Sequence, residues 1–189
     1  MTILTTSADK QYVIRRGTKA DCPAILDFVR QSRPWTTLKW FEQIQQLADY
    51  EKEPDAVKAT VATLEENVFN KGYAEVLIAE QHLEGSCATH VGMALYFYSF
   101  STWTSKPSLY LEDLFVIPSL RNKGIGKLLF KALGQVAKEK DCGRMDWSVL
   151  TWNAPSIAFY TKVLGAEPMD EWKGMRLESE GIENLAKLV

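Results

Sequence analysis

The sequence predicts a mixed α/β (α+β) fold, and three observations lead there. Short apolar stretches of strand character slightly outnumber amphipathic helical ones. One strand–helix–strand crossover is legible, between Leu109 and Val149, so the sheet is mixed and not all-parallel. No repeat or low-complexity linker divides the 189 residues, a length that fits a single domain over residues 1–189.

In chain order, residues 1–10 read as a flexible polar tail and Tyr12–Arg16 (YVIRR) as a first strand. Lys19–Ser32 follows as a helix, with Ile25, Phe28 and Val29 at helical spacing. Pro34 interrupts it, and Trp40–Tyr50 resumes a helical pattern through Phe41, Ile44 and Leu47. Thr60 or Thr63 can cap a short helix ending near Phe69, and Thr63 with Glu66 fits a capping box. Ala74–Glu80 and Val91–Phe100 read as strands around a polar turn, and Leu109–Ile117 as the next strand. Gly126–Lys140 is a helix with Leu128, Leu129, Ala132, Leu133 and Val136 on one face. Arg144–Val149 is a strand, Pro155–Val163 a helix, Lys173–Leu177 a last short strand and Gly181–Leu188 a terminal helix.

Composition narrows the function. A net charge of −2 argues against broad nucleic-acid binding, which wants a basic face. No run of about 18 apolar residues suggests a membrane span, and MTILTTSADK lacks the layout of a signal peptide. Three scattered cysteines, Cys22, Cys87 and Cys142, suit a reducing cytoplasm better than a disulfide framework. With two histidines and no C-x-x-C, neither a metal centre nor a histidine base is expected.

The chemistry concentrates in Leu109–Leu133, LYLEDLFVIPSLRNKGIGKLLFKAL. Its strand carries adjacent carboxylates, Glu112 and Asp113, and alternation sends them to opposite faces. Between strand and helix lies Arg121-Asn122-Lys123-Gly124-Ile125-Gly126-Lys127. Glycines let backbone N–H groups approach a ligand with no Cβ in the way. The helix N-terminus adds about half a positive charge, and Arg121, Lys123 and Lys127 add full ones, so a pyrophosphate is the natural guest. A Walker A loop would need glycine at Arg121, and a dinucleotide fingerprint glycine at Leu129. The plainer alternative is a strand-to-helix turn with basic surface residues.

On these residues the chain resembles the GNAT superfamily of acetyl-CoA-dependent N-acetyltransferases, whose pyrophosphate loop reads Q/R-x-x-G-x-G/A. LYLEDLFVIPSLRNKGIGKLL and TWNAPSIAFYTKVLGAE, with LADYEKEP and VGMALYFYSFSTW, are similar to the diamine/polyamine (spermidine/spermine) acetyltransferases and their thialysine-acetylating relatives. The likeness runs from Tyr12 to Glu183, apart from an apparent insertion around Ser32–Gln43. It implies a mixed, largely antiparallel sheet with flanking helices and a strand–loop–helix coenzyme A site. It also implies that Leu114, Phe115 and Val116 offer backbone groups to the pantetheine arm, and that Arg121 and the run Asn122, Lys123, Gly124, Ile125, Gly126 and Lys127 hold the pyrophosphate. Asn153, Ala154, Pro155 and Ser156 would line the lower coenzyme, and Tyr160 would stand near its sulfur. Glu112 would act on the amine through water. Tyr50, Glu51, Trp103, Asp146, Trp147 and Ser148 would meet the acceptor. The family also implies a homodimer with acceptor sites near the subunit interface.

These roles suit the chemistry. An alkylamine of pKa about 10.4 is neutral in about one molecule per thousand at pH 7, a deficit of roughly 4–5 kcal/mol unless the site removes the proton. A carboxylate can bind the cation and then relay its proton. A tyrosine hydroxyl can protonate the departing thiolate. Each residue also has a structural alternative: Glu112 and Asp113 as satisfied structural carboxylates, Tyr160 as core, Asn153 as a helix cap. The acid-rich stretch Glu42–Glu66 fits either a cationic acceptor or a solvated helix surface. Two departures from the polyamine enzymes stand out: Ser101 and Thr102 before Trp103, and Lys173 before Gly174, where that family tends to carry acids. They lean toward a shorter amine or a lysine-like amino acid such as thialysine. Acetylation of a protein amine, or coenzyme binding without catalysis, remain the other readings.

Overall fold

The structure is a computed structural model that describes residues 2–30 and 58–188. The chain divides into two compact units, Met1–Ser148 and Val149–Val189.

The first unit is built on one six-stranded sheet in chain order: β1 (Ile3–Thr6), β2 (Tyr12–Arg16), β3 (Glu75–Gln81), β4 (Thr89–Ser101), β5 (Lys106–Val116) and β6 (Arg144–Trp147). Neighbours are antiparallel as far as β5, and β5–β6 are parallel. Helix α3 (Ile125–Glu139) makes that one crossover, as a parallel connection requires. Ile3–Thr6, read from sequence as tail, instead pairs along β2 with Thr5 buried. Its threonines hid it, because an edge strand needs little apolar alternation. β4 and β5 outrun their apolar stretches and meet in a hairpin, Ser101 opposite Lys106.

Each sheet face takes a helix. Ile25 and Phe28 of α1 (Cys22–Arg30) pack on Val76, Ile78, Met93 and Phe115, with the Phe28 and Phe115 rings 5.3 Å apart. The opposite face carries Leu77, Ala94, Leu109 and Leu111, all buried, and α3 covers it with Leu129, Leu133 and Val136. Helix α2 (Val61–Leu64) starts at Thr60, whose hydroxyl accepts from the Thr63 N–H at 3.1 Å. The capping box is therefore Thr60–Thr63 rather than Thr63–Glu66. Glu66 instead accepts from Asn70 and faces Lys71, on a widened turn over Glu65–Asn70.

A buried ionic cluster fastens the start of α1 to the sheet. Arg15 donates to both Asp21 oxygens at 2.8 and 2.7 Å and through Nε to Glu80 at 2.8 Å. Burial works to raise the Asp21 pKa. The Arg15 guanidinium and the Thr18 N–H and hydroxyl outweigh it and hold the carboxyl at about 2.

In the second unit, α4 (Ala154–Ala158) runs into a widened turn, Phe159–Val163, and α5 spans Ser179–Leu185. Residues 173–177, expected as a strand, are irregular, and Met175 is 87% exposed. Alternation without a ladder partner does not make a strand. The expected helix Trp40–Tyr50 and the Ser32–Gln43 segment lie outside the described residues.

Candidate active site

The site is organised by an irregularity in β5. Leu111 pairs with Tyr96 and Asp113 with Leu95, which leaves Glu112 as an extra residue, a β-bulge. The parallel ladder to β6 ends at Leu111–Trp147, one residue earlier. Glu112 therefore stands where β5 is bulged on one side and loses its neighbour on the other, and it is exposed. The two acids were expected to part by simple alternation. The bulge interrupts that alternation: Leu111 lies on the α3 face, whereas Asp113, opposite Leu95, shares the α1 face with Met93 and Phe115. Leu114, Phe115 and Val116 pair with β4 alone, and their other edge extends past the end of β6. An unpaired strand edge presents backbone N–H and C=O groups to an extended ligand.

Five residues further on, a basic loop turns the chain from β5 into α3. A short turn, Pro118–Leu120, leads to Arg121, whose Nε donates to the Val116 carbonyl at 3.2 Å. Asn122 (φ +64°) and Gly124 (φ +84°) are left-handed, and together they turn the backbone into α3. Gly124 is the N-cap and offers no side-chain acceptor, and the first intrahelical bond there is Leu128 N–H to Gly124 C=O at 3.1 Å. The N–H groups of Ile125, Gly126 and Lys127 thus begin the helix without intrahelical acceptors. A Cβ built on Gly126 would meet nothing within 4 Å, so the space beside this glycine is open. Arg121, Lys123 and Lys127 are all exposed around it. Partial positive helix charge, free N–H groups and three cations fit a pyrophosphate.

Within the second unit, Asn153 caps α4 by accepting from the Ser156 N–H at 3.2 Å, and Ala154 and Pro155 form the first turn. The capping role proposed for Asn153 is thus realised. Tyr160 is half-buried in the widened turn, its ring 5.7 Å from Phe159. An i→i+5 turn of this kind re-aims the side chains that follow it.

The remaining expected acceptor residues separate. Trp103 is 88% exposed at the tip of the β4–β5 hairpin. Six residue steps of strand, roughly 20 Å, separate Lys106 from Glu112, so the structure does not bring Trp103 to Glu112 in one chain. Trp147 packs edge-on against Phe130 of α3, centroids 5.4 Å apart. Asp146 accepts from Arg144 Nε at 2.9 Å. Ser148 meets the Tyr110 hydroxyl at 2.8 Å. Tyr50 and Glu51 lie outside the described residues. Sequence reading missed the bulge and Tyr110; an acid pair in mid-strand was the only signal for the first. Among the described residues no group of three or more His, Cys, Asp or Glu could hold a metal ion, and no helix is long and apolar enough to cross a membrane.

Residues 35–166 match the Acetyltransferase (GNAT) family. The thialysine N-epsilon-acetyltransferase of Sus scrofa is 34% identical over 183 residues, covering 92% of this chain and 96% of that protein. The spermidine/spermine N(1)-acetyltransferase-like protein 1 of Homo sapiens is 30% identical over 186 residues, covering 96% of this chain and 24% of that protein. Among solved structures, an integron cassette protein from the mobile metagenome of V. cholerae is 27% identical and superposes with a TM-score of 0.69 over 94% of this chain and 99% of that one. An aminoglycoside acetyltransferase from an uncultured soil metagenomic sample shares the fold, with 20% identity and a TM-score of 0.62 over 92% of this chain and 98% of that one. With the family matched over most of its length, the chain belongs to the GNAT family of N-acetyltransferases, enzymes that use acetyl-CoA.

Proposed function

We propose that this enzyme transfers acetyl from acetyl-CoA directly to the primary amine of a small aliphatic acceptor, a diamine or polyamine or a lysine-like amino acid such as thialysine. One observation carries the reading. An exposed, ladder-free Glu112 adjoins the open edge Leu114–Val116, which leads within a few residues into the uncapped start of α3. Base, thioester edge and pyrophosphate cradle then follow one another along a single strand–loop–helix.

In this reading Glu112 attracts the ammonium and takes its proton through water. The neutral nitrogen attacks the acetyl carbonyl, the C–S bond breaks, the Tyr160 hydroxyl gives its proton to the thiolate, and the proton shed by the acetylated nitrogen restores the Tyr160 hydroxyl through solvent. The similarity to thialysine N-epsilon-acetyltransferases supports an amino-acid acceptor. So does the L-ornithine N5-acetyltransferase of Arabidopsis thaliana, 35% identical over 97 residues. Lys173 adds to this, since a lysine would repel a distal ammonium. Tyr50, Glu51, Asp146 and Trp147 are the other acceptor candidates. Trp103 joins them from a second copy in a homodimer, since its own Glu112 is out of reach. Free cysteines at 22, 87 and 142 suit a cytoplasmic setting.

A panel of diamines, polyamines, lysine analogues and peptides, read by thiol release and product mass, tests this. Turnover on small amines is expected, and Tyr160→Phe should lower kcat while leaving coenzyme affinity intact. Preference for peptides would favour a protein amine. Coenzyme binding without turnover on any amine would favour a non-catalytic module.

A further inference from the structure

The parallel register between β5 and β6 places Tyr110 opposite Asp146 and Leu111 opposite Trp147. The next residue on each strand is Glu112 on β5 and Ser148 on β6, where the two strands cease to pair. The Tyr110 hydroxyl reaches diagonally across this fork to Ser148 Oγ at 2.8 Å. Tyr110 is itself steadied by Phe97, its cross-strand partner, with ring centroids 5.0 Å apart. Trp147, between Asp146 and Ser148, points to α3, so Ser148 and Tyr110 occupy the other face. That is also the face of Asp113, through its pairing with Leu95. Paired strands lie about 4.8 Å apart, and Glu112 and Ser148 each follow directly on the last paired rung, Leu111–Trp147, so the two side chains leave neighbouring strands at the mouth of the fork.

We infer that Ser148 is a proton-relay group for Glu112 and that Tyr110 is its positioning residue. This rests on the reading of Glu112 as the base, with the Ser148 hydroxyl taking the place of the bridging water. A hydroxyl donates and accepts at once. The acceptor ammonium gives a proton to Ser148 Oγ while the Ser148 hydroxyl proton passes to the Glu112 carboxylate. The products are a neutral amine, an unchanged serine and a protonated glutamic acid, which returns its proton to water after acetyl transfer. Either hydroxyl of the Tyr110–Ser148 pair can be the donor. Tyr110 can therefore accept from Ser148 at rest and donate to it as Ser148 loses its own proton. The fork supplies the space: where the ladder ends, a hydroxyl can face the cleft with no facing backbone group to claim it.

The experiment measures kcat/KM of the full chain against pH, with a small alkylamine it acetylates. Variants are Ser148→Ala, Tyr110→Phe, Ser148→Thr and the double variant. Ser148→Ala should lose about tenfold at pH 7, within the range of single proton-transfer groups. The loss should shrink as pH approaches the amine pKa of about 10.4, where the proton is already gone. Tyr110→Phe keeps the ring on Phe97 and should show the same slope. Ser148→Thr should retain most activity, and the double variant should be no worse than Ser148→Ala. Wild-type pH profiles in both single variants, equal losses at every pH, or additive losses overturn the relay. A wild-type enzyme that acetylates no amine at any pH overturns the acetyl-transfer reading itself.

Discussion

Gly126→Ala separates what the loop does for the fold from what it does for a ligand. Gly126 is the second residue of α3, has no left-handed φ, and a Cβ there meets nothing within 4 Å. For folding, the glycine is a liability, because alanine lowers unfolded-chain entropy and favours helix by about 0.5–1 kcal/mol. For a protein of this length that raises Tm by about 1–4 °C. For binding, the sign reverses. The methyl enters the open space beside Gly126, where the proposed pyrophosphate would sit. Losing one charge-assisted hydrogen bond costs about 1.5–3 kcal/mol, roughly tenfold to a hundredfold in Kd. Thermal unfolding of the free protein measures the first effect. Titration calorimetry with coenzyme A measures the second, with pantetheine, which lacks the pyrophosphate, as a control that should be unaffected. A variant that melts lower than wild type, or that binds coenzyme A equally well, would refute the assignment of this space to a pyrophosphate.

Three further outcomes are expected. Glu112→Gln should lower kcat/KM by about a hundredfold or more at pH 7 and less at high pH; a uniform loss across pH would remove Glu112 as the base. Gly92→Ala should destabilise by about 1–3 kcal/mol, because its Cβ would stand 2.5 Å from the Phe115 carbonyl oxygen where β4 and β5 approach; a wild-type urea midpoint would contradict that contact. The Asp21 carboxyl, held at about 2 against an ordinary 3.8, contributes about 2 kcal/mol above pH 4 that is lost as pH falls through 2. Arg15→Met should cost about 3–5 kcal/mol at pH 7 by leaving Asp21 and Glu80 buried without their guanidinium. That variant should instead gain stability as pH drops and the two acids protonate. Parallel stability–pH curves for the two proteins, from urea titrations, would show that the cluster is not electrostatically coupled.

Much of the candidate site was legible because its signals are local. The glycine spacing from Arg121 to Lys127, the acid pair in mid-strand and the Asn153–Pro155 helix start each involve residues within a few positions of one another. The strands β2 and β6 and helix α3 follow from apolar periodicity in the same way. Ile3–Thr6 was missed because an edge strand is defined by its neighbour's backbone, not by its own apolar pattern. Lys173–Leu177 was over-read for the complementary reason: its alternation has no ladder to join.

By itself, the sequence pointed to the family and through it to acetyl-CoA, and it singled out Glu112 as the candidate base, since the glycine loop and the strand acids are written in nearby residues. Only the tertiary structure decided how Glu112 is presented. Its exposure depends on a register shift against β4 and on where β6 stops, two facts of pairing between strands far apart in the chain. The same is true of the Tyr110–Ser148 contact, which spans 38 residues, and of the Arg15 cluster, which joins Asp21 to Glu80. Local chemistry travels with the sequence. Which groups meet is settled by ladder register and packing, and those are properties of the folded sheet alone.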